Sequence, residues 1–254
     1  MKSFITLLCL TGISLIPLFG RAQQIKHQDN NLYQYGITEA FLSGLFHGKL
    51  PVSEFKKKGN FGIAAPDMVD GEVIMYNGKV YQTKSTGITT EMPDTAKLPL
   101  AFACFFKPDT SFTITHASSE ADAFAQIDTH LQHKNAIYAI RITGIISQLK
   151  TRTFYPVSSE PFPPIASLIA NQKIFNISAV KGTLFGLRVP NYWTGINIAG
   201  YHLHFIGDNF KTGGHVIDFT PENVLVEIAE IKEVNIQVPQ DSAFSNYSFK
   251  TRTP

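Results

Sequence analysis

The stretch Gly200 to Phe219, GYHLHFIGDNFKTGGHVIDF, holds three of the chain's eight histidines. One residue separates His202 from His204, so on a strand both point to the same side, about 7 Å apart. Asp208-Asn209 and Gly213-Gly214 supply turn chemistry, and His215 opens a returning strand. A β-hairpin folded here brings three imidazoles onto one face. Three histidines with an open fourth position are the ligand set of a catalytic zinc site. A closed structural site fills that position with another strong ligand, usually cysteine, and no cysteine lies near. Copper, nickel and iron accept the same imidazole set. A lone His-x-His pair reads as decoration of a half-exposed sheet; the third histidine across a glycine turn tips the reading to a metal, with Zn2+ expected.

An ion in an open site acts as a Lewis acid, and such chemistry wants an anion-binding group and a proton donor beside it. Arg152, in LKTRTFY, stands at an uncharged strand end between threonines, where its guanidinium can clamp a carboxylate in bidentate fashion. Arg141, in YAIRITG, competes for that role. Glu72 follows Asp70-Gly71 and opens a strand whose face also carries Ile74 and Tyr76. A carboxyl group there is either an acid or base of raised pKa or an ordinary solvated strand residue.

The elements that must position these groups are mostly strands. Asn77-Gly78 between two β-rich runs predicts a hairpin. LPLAFACFF, SFTITHA, AIYAIRITGIISQLKTRTFYPV and NVLVEIAEIKEVNIQVP read as further strands, and IFNISAVKGTLFGLRVP as a hairpin turning at Lys181-Gly182. In GITEAFLSGLFHGKL, Phe41, Leu42, Leu45 and Phe46 fall at helical spacing behind Thr38 as a cap; PVSEFKKKG, EADAFAQIDTHLQ behind Ser119, and PIASLIANQ read as short helices. The pattern, with several antiparallel hairpins and few helices, predicts an α+β fold with the metal site on a β-hairpin. The Pro-rich stretch near residues 156–165 is the candidate sub-boundary within an otherwise single domain, residues 23–254.

The ends and composition narrow the class. Lys2, an apolar run from Phe4 to Phe19, and Gly20-Arg21-Ala22 have the layout of a secretory signal peptide over residues 1–22. Its apolar run is short for a membrane anchor, which needs about 20 residues, so the expected product is exported, periplasmic or secreted, with no membrane contact after cleavage. Cleavage removes Lys2 and Arg21 and with them the formal net charge of +2. Beyond Lys56-Lys57-Lys58, which reads as a solvated helix end, no basic run is left to bind nucleic acid. Cys104 is the single cysteine outside the leader. It reads as a buried small hydrophobe, and no internal disulfide is available. Asn176-Ile-Ser178 and Asn246-Tyr-Ser248 match glycosylation sequons.

With these residues in view, GINIAGYHLHFIGDNFKTGGHVIDF closely resembles the zinc-binding segment of the alpha-acetolactate decarboxylases. FGIAAPDMVDGEVIMYNGKVYQ is similar to their LDGE segment and LKTRT to their arginine segment, in the same order and spacing from about Leu32 to about Phe244. The resemblance implies an α+β fold of two packed, mixed or antiparallel β-sheet regions with a few helices, and a lyase that converts (S)-2-acetolactate to (R)-acetoin and carbon dioxide, commonly as a homodimer. By it, His202, His204 and His215 hold the zinc, Arg152 rather than Arg141 is the catalytic arginine, and Glu72 is the LDGE glutamate. Zinc chelating the substrate's ketone and hydroxyl oxygens would stabilise the developing enediolate, Arg152 would orient the substrate, and Glu72 would relay the quenching proton. Two departures stand out. The family usually carries a further glutamate in its tail, whereas here no glutamate follows Glu233 and no carboxylate side chain follows Asp241. Ala65 stands where the family commonly has a threonine, and Val69 replaces a leucine. A related zinc lyase acting on another 2-hydroxy-3-oxo acid, and a non-catalytic zinc-binding domain, are the alternatives.

Overall fold

A computed structural model of the chain describes residues 29–249. The signal peptide expected at residues 1–22 lies outside the described residues, as do residues 23–28 and the last five. In chain order the strands are β1 (Asn31–Tyr35), β2 (Leu50–Pro51), β3 (Phe61–Ala65), β4 (Glu72–Tyr76), β5 (Lys79–Thr83), β6 (Thr89–Glu91), β7 (Lys97–Leu98), β8 (Leu100–Cys104), β9 (Thr110–His116), β10 (Tyr138–Thr153), β11 (Lys173–Val189), β12 (Gly200–Gly207), β13 (Gly213–Glu230) and β14 (Glu233–Gln237). Five short helices accompany them: α1 (Thr38–Leu42), α2 (Val52–Phe55), α3 (Glu120–Asp128), α4 (Ile165–Leu168) and α5 (Ser242–Ser245). This is the α+β, sheet-dominated architecture that the sequence pattern predicts. Among the described residues no helix is long and apolar enough to cross a membrane.

One sheet has the order β14-β1-β8-β3-β4-β5-β6, antiparallel except where β1 meets β14 in parallel. The other runs β10-β11-β12-β13-β9 and closes on itself, because β10 pairs with β11 on one side and with β13 on the other. Closure hides strand edges and gives the second sheet an inside and an outside. The inside is filled by Ile140, Leu184, Leu203, Phe205 and Val226, plugged by Ala123 and Ile127 of α3. The outside packs on the first sheet through Phe61, Ile63 and Phe102 from one side and Phe185, Leu187 and Ile206 from the other. Strand alternation separates these two layers. Leu203 and Phe205 face inward, and His202 and His204 therefore face the first sheet.

Three local readings are corrected. Residues 173–189 form one continuous strand rather than a hairpin turning at Lys181-Gly182. Gly182 is there for close approach: a Cβ on it would sit 2.4 Å from the Ile206 carbonyl oxygen of β12. The predicted helix over Gly36–Leu50 stops after Leu42, because Gly44 takes a left-handed φ of +117° and drops Phe46 into the core. Thr38 is the first residue of that helix rather than its cap; Ile37 precedes it without a side-chain cap bond. By contrast, the Asn77-Gly78 hairpin joins β4 to β5 with Tyr76 opposite Lys79, and Ser119 caps α3 by accepting from the Asp122 N–H at 3.2 Å. The Pro-rich stretch connects β10 to β11, neighbours in one sheet.

At the start of α3, burial and the nearby Asp218 carboxylate raise the half-buried Glu120 carboxyl from 4.5 to about 7. The folded state therefore holds a proton that the unfolded chain has released. Between pH 4.5 and about 7 this group makes stability fall as pH rises. Glu120→Gln is expected to flatten that slope, leaving the variant more stable than the parent above pH 7 and no better below 4.5. Midpoints of urea unfolding across that range check it, and parallel pH profiles would refute it.

Candidate metal centre

β12 and β13 pair antiparallel with His204 opposite His215, and β13 pairs with β10 with His215 opposite Arg152. One row across the sheet thus carries His204, His215 and Arg152 on a single face. The register shifts where Lys150 faces Asp218 and Thr151 faces Val216, leaving Ile217 as a β-bulge residue. The bulge lets Val216 and Phe219 both point inward while His215 points out to the first sheet, a re-aiming typical of bulges beside sites. Gly214, at φ +126°, permits the tight approach of β13 to β10 there.

The three imidazole rings form a near-equilateral triangle, with centroids 5.1, 5.0 and 5.2 Å apart. His202 and His204 are buried and His215 is half-buried. Burial pushes all three to pKa values below the ordinary histidine range, His204 to about 4, with the Arg152 charge adding to the effect. All three are therefore neutral near pH 7 and keep a lone pair for a cation. His204 Nδ1 donates to the Val73 carbonyl oxygen at 2.7 Å. This backbone contact fixes its tautomer and aims the Nε2 lone pair at the centre of the triangle, the arrangement usual for metal-bound histidine. His215 Nδ1 lies 3.3 Å from His204 Nε2. Two nitrogens bound at about 2.0–2.1 Å on a tetrahedral zinc ion are separated by about 3.3–3.4 Å. His202 Nδ1 is buried with no hydrogen-bond partner among the described residues. The donor set, its protonation and its spacing all fit a zinc ion.

Glu72 opens β4 on the facing sheet and is buried, with Oε2 3.5 Å from His204 Nε2. Gly71 puts it there: its φ is +100°, and a Cβ would lie 2.1 Å from the Thr83 carbonyl oxygen. Burial raises the Glu72 carboxyl to about 8, with the Arg152 charge pulling the other way. Arg152 Nη2 lies 3.2 Å from His215 Nε2, Nη1 donates to Gln172 Oε1 at 3.3 Å, and the guanidinium stacks 4.8 Å from the Phe154 ring centre. Its Nε is buried without a partner among the described residues. Arg141 is elsewhere: it holds Glu227 through Nε at 2.6 Å and Nη2 at 2.8 Å and lies over Phe61 and Phe106. Geometry brings Glu72, Arg152 and the three histidines together and leaves Arg141 out.

These polar groups line a cavity of about 60 Å³ together with the apolar side chains of Phe41, Ala65, Val69, Leu100, Ile165 and Ile198. Val69 is in the left-handed region at φ +58°, a strained conformation for a β-branched residue. A larger hollow of about 200 Å³ lies behind Phe41 near α5, but its groups His47 and Glu160 pair with each other. The tail's Asp241 caps α5 by accepting from the Phe244 N–H at 2.9 Å and pairs with Lys49 at 3.7 Å. It is spent away from the histidines. Sequence reasoning missed the Val73 carbonyl, Gln172 and the apolar lining other than Ala65 and Val69. Phe154 left a signal, two residues after Arg152 and just past the end of β10.

Residues 32–251 match the sequence profile of the family described as alpha-acetolactate decarboxylase. The alpha-acetolactate decarboxylase of Bacillus subtilis strain 168 is 34% identical over 233 residues, covering 92% of this chain and 91% of the relative. That of Brevibacillus brevis is 34% identical over 217 residues, covering 85% and 76%. The crystal structure of the Bacillus subtilis strain 168 protein superposes with a TM-score of 0.83 at 33% identity, over 86% of this chain and 93% of that one. A match over nearly all the described residues, at this identity and on this fold, means that the chain belongs to the alpha-acetolactate decarboxylase family of lyases.

Proposed function

We propose that this chain is a zinc-dependent decarboxylase that converts (S)-2-acetolactate to (R)-acetoin and carbon dioxide. The observation that carries the reading is the convergence of three neutral histidines, a half-buried arginine and a buried glutamic acid on one cavity. His202, His204 and His215 would hold the ion. When bound there it supplies a Lewis acid for negative charge developing on substrate oxygens. Arg152, with a free buried Nε–H, receives the substrate's carboxylate or an adjacent oxygen and fixes which bond is aligned to break. Departure of carbon dioxide leaves an electron pair on the substrate, and one proton must be added to carbon to give acetoin. Glu72, set beside the histidines, carries that proton, and its burial favours the protonated form. A single carboxyl group fixed on β4 delivers the proton to one face, so the product has one hand. The apolar side chains that share the cavity with it limit the water that would quench from the other face.

Ala65 and Val69 both line the cavity, which supports a second reading: a neighbouring 2-hydroxy-3-oxo acid as the preferred substrate. Racemic acetolactate given to the purified zinc-loaded protein is expected to lose one enantiomer rapidly and yield acetoin of a single hand, measured by chiral chromatography. No acetoin above the spontaneous rate would defeat the first reading, and faster turnover of a homologue with a larger alkyl group would establish the second.

A further inference from the structure

Two segments far apart in the chain build part of the apolar wall. Phe41 and Leu42 come from α1, and Ile198 from the loop before β12. Neither segment is held by regular structure. α1 has five residues and no side-chain cap, and the loop carries a three-residue 3-10 turn at Asn191–Trp193 and one isolated bridge between Thr194 and Asn197. What ties them is a buried amide pair behind the wall. Gln34 of β1 is 0% exposed and Asn197 is 2% exposed. Gln34 Nε2 donates to the carbonyl oxygens of Gly36 at 2.9 Å and Ile196 at 2.7 Å. Asn197 Nδ2 donates to Gln34 Oε1 at 3.0 Å, and the Ile198 N–H donates to Asn197 Oδ1 at 2.7 Å. The loop in turn takes the place of a helix cap. The N–H groups of Thr38 and Glu39 donate to the carbonyls of Ile196 and Gly195 at 3.2 and 2.8 Å.

The polarity of this pair is fixed. If Gln34 flipped its amide, Oε1 would face two carbonyl oxygens, so Asn197 must be the donor between them. We infer that Gln34 and Asn197 are positioning residues that set the substrate-facing wall formed by Phe41, Leu42 and Ile198. Neither lines the cavity, and both act through the residues that do. The inference rests on the functional reading above.

Asn197→Asp tests it, since it replaces the buried donor with an oxygen while keeping side-chain shape. A displaced wall loses binding that ground state and transition state share. KM for acetolactate is therefore expected to rise about tenfold with kcat within about threefold of the parent and zinc content unchanged. Gln34→Met, which removes both amide donors without adding charge, is the second variant should the first fail to fold. Ile198→Ala removes one wall residue directly. Adding Asn197→Asp to it is expected to raise KM by less than about twofold further, because the two act on one wall. Unchanged KM in both amide variants, or KM effects that multiply in the double variant, would overturn the inference while parental turnover leaves the functional reading standing. Absence of turnover in the parent would remove both.

Discussion

Glu72→Gln is expected to lower kcat by about a thousandfold, within the range that a positioned general acid contributes, while the protein keeps its zinc. Glutamine has nearly the shape of the acid and fills the same place between β4 and the histidines, so folding and packing are retained. It cannot deliver a proton from Oε2. The group is suited to delivery because the Gly71 turn buries it against the second sheet, where burial lifts its carboxyl to about 8. Arg152 opposes that rise without cancelling it, so the two charges act on each other across the cavity. Loss of turnover with metal retained separates a proton-carrying role from a ligand role, in which zinc would be lost too. Turnover at the parental rate would sink the assignment of Glu72 as proton carrier. Acetoin of lower enantiomeric purity at a residual rate would mean that water has replaced Glu72 as the source of the proton.

The histidine cluster was the most legible part of the molecule, and for a physical reason. A strand's period of two puts His202 and His204 on one face whatever surrounds them, and a glycine turn limits where His215 can return. The same logic gave the Asn77-Gly78 hairpin and the Ser119 cap, where one residue's own chemistry fixes the backbone. Failures came where tertiary contact chose between meanings of one residue. Gly182 carries the composition of a turn, yet it is glycine because β12 passes too close for a side chain. Leu45 and Phe46 keep helical spacing with Phe41, yet Gly44 breaks the helix and Phe46 is buried from a loop. The choice between Arg152 and Arg141 was open on spacing alone. It turns on register: Arg141 faces Glu227 across the β10–β13 ladder and Arg152 faces His215. The bulge at Ile217 and the Gln34–Asn197 pair are long-range facts with no local signature.

Chelation is expected to abolish turnover and leave a folded protein that zinc restores. The two sheets are held apart from the metal by apolar layers that are complete without it: Phe61, Phe102, Phe185 and Leu187 between the sheets, and Leu203 and Phe205 inside the closed one. An ion at 1,000 times its Kd stabilises the folded state by about 4 kcal/mol. In a domain of this size each kcal/mol moves Tm by about 2–4 °C, so chelation is expected to lower Tm by roughly 8–16 °C without loss of native β-sheet circular dichroism at 25 °C. Unfolding at 25 °C on chelation would instead mark a structural ion and sink the catalytic reading. His204→Ala supplies the contrast. It removes a ligand and also strips the Val73 carbonyl of its buried donor, which costs about 1–3 kcal/mol beyond the lost metal. That variant is therefore expected to melt below the chelated parent, and added zinc restores neither its turnover nor its Tm. If zinc did restore turnover to His204→Ala, the remaining pair of histidines would suffice for the chemistry, and His204 would be a bracket between the sheets rather than a ligand.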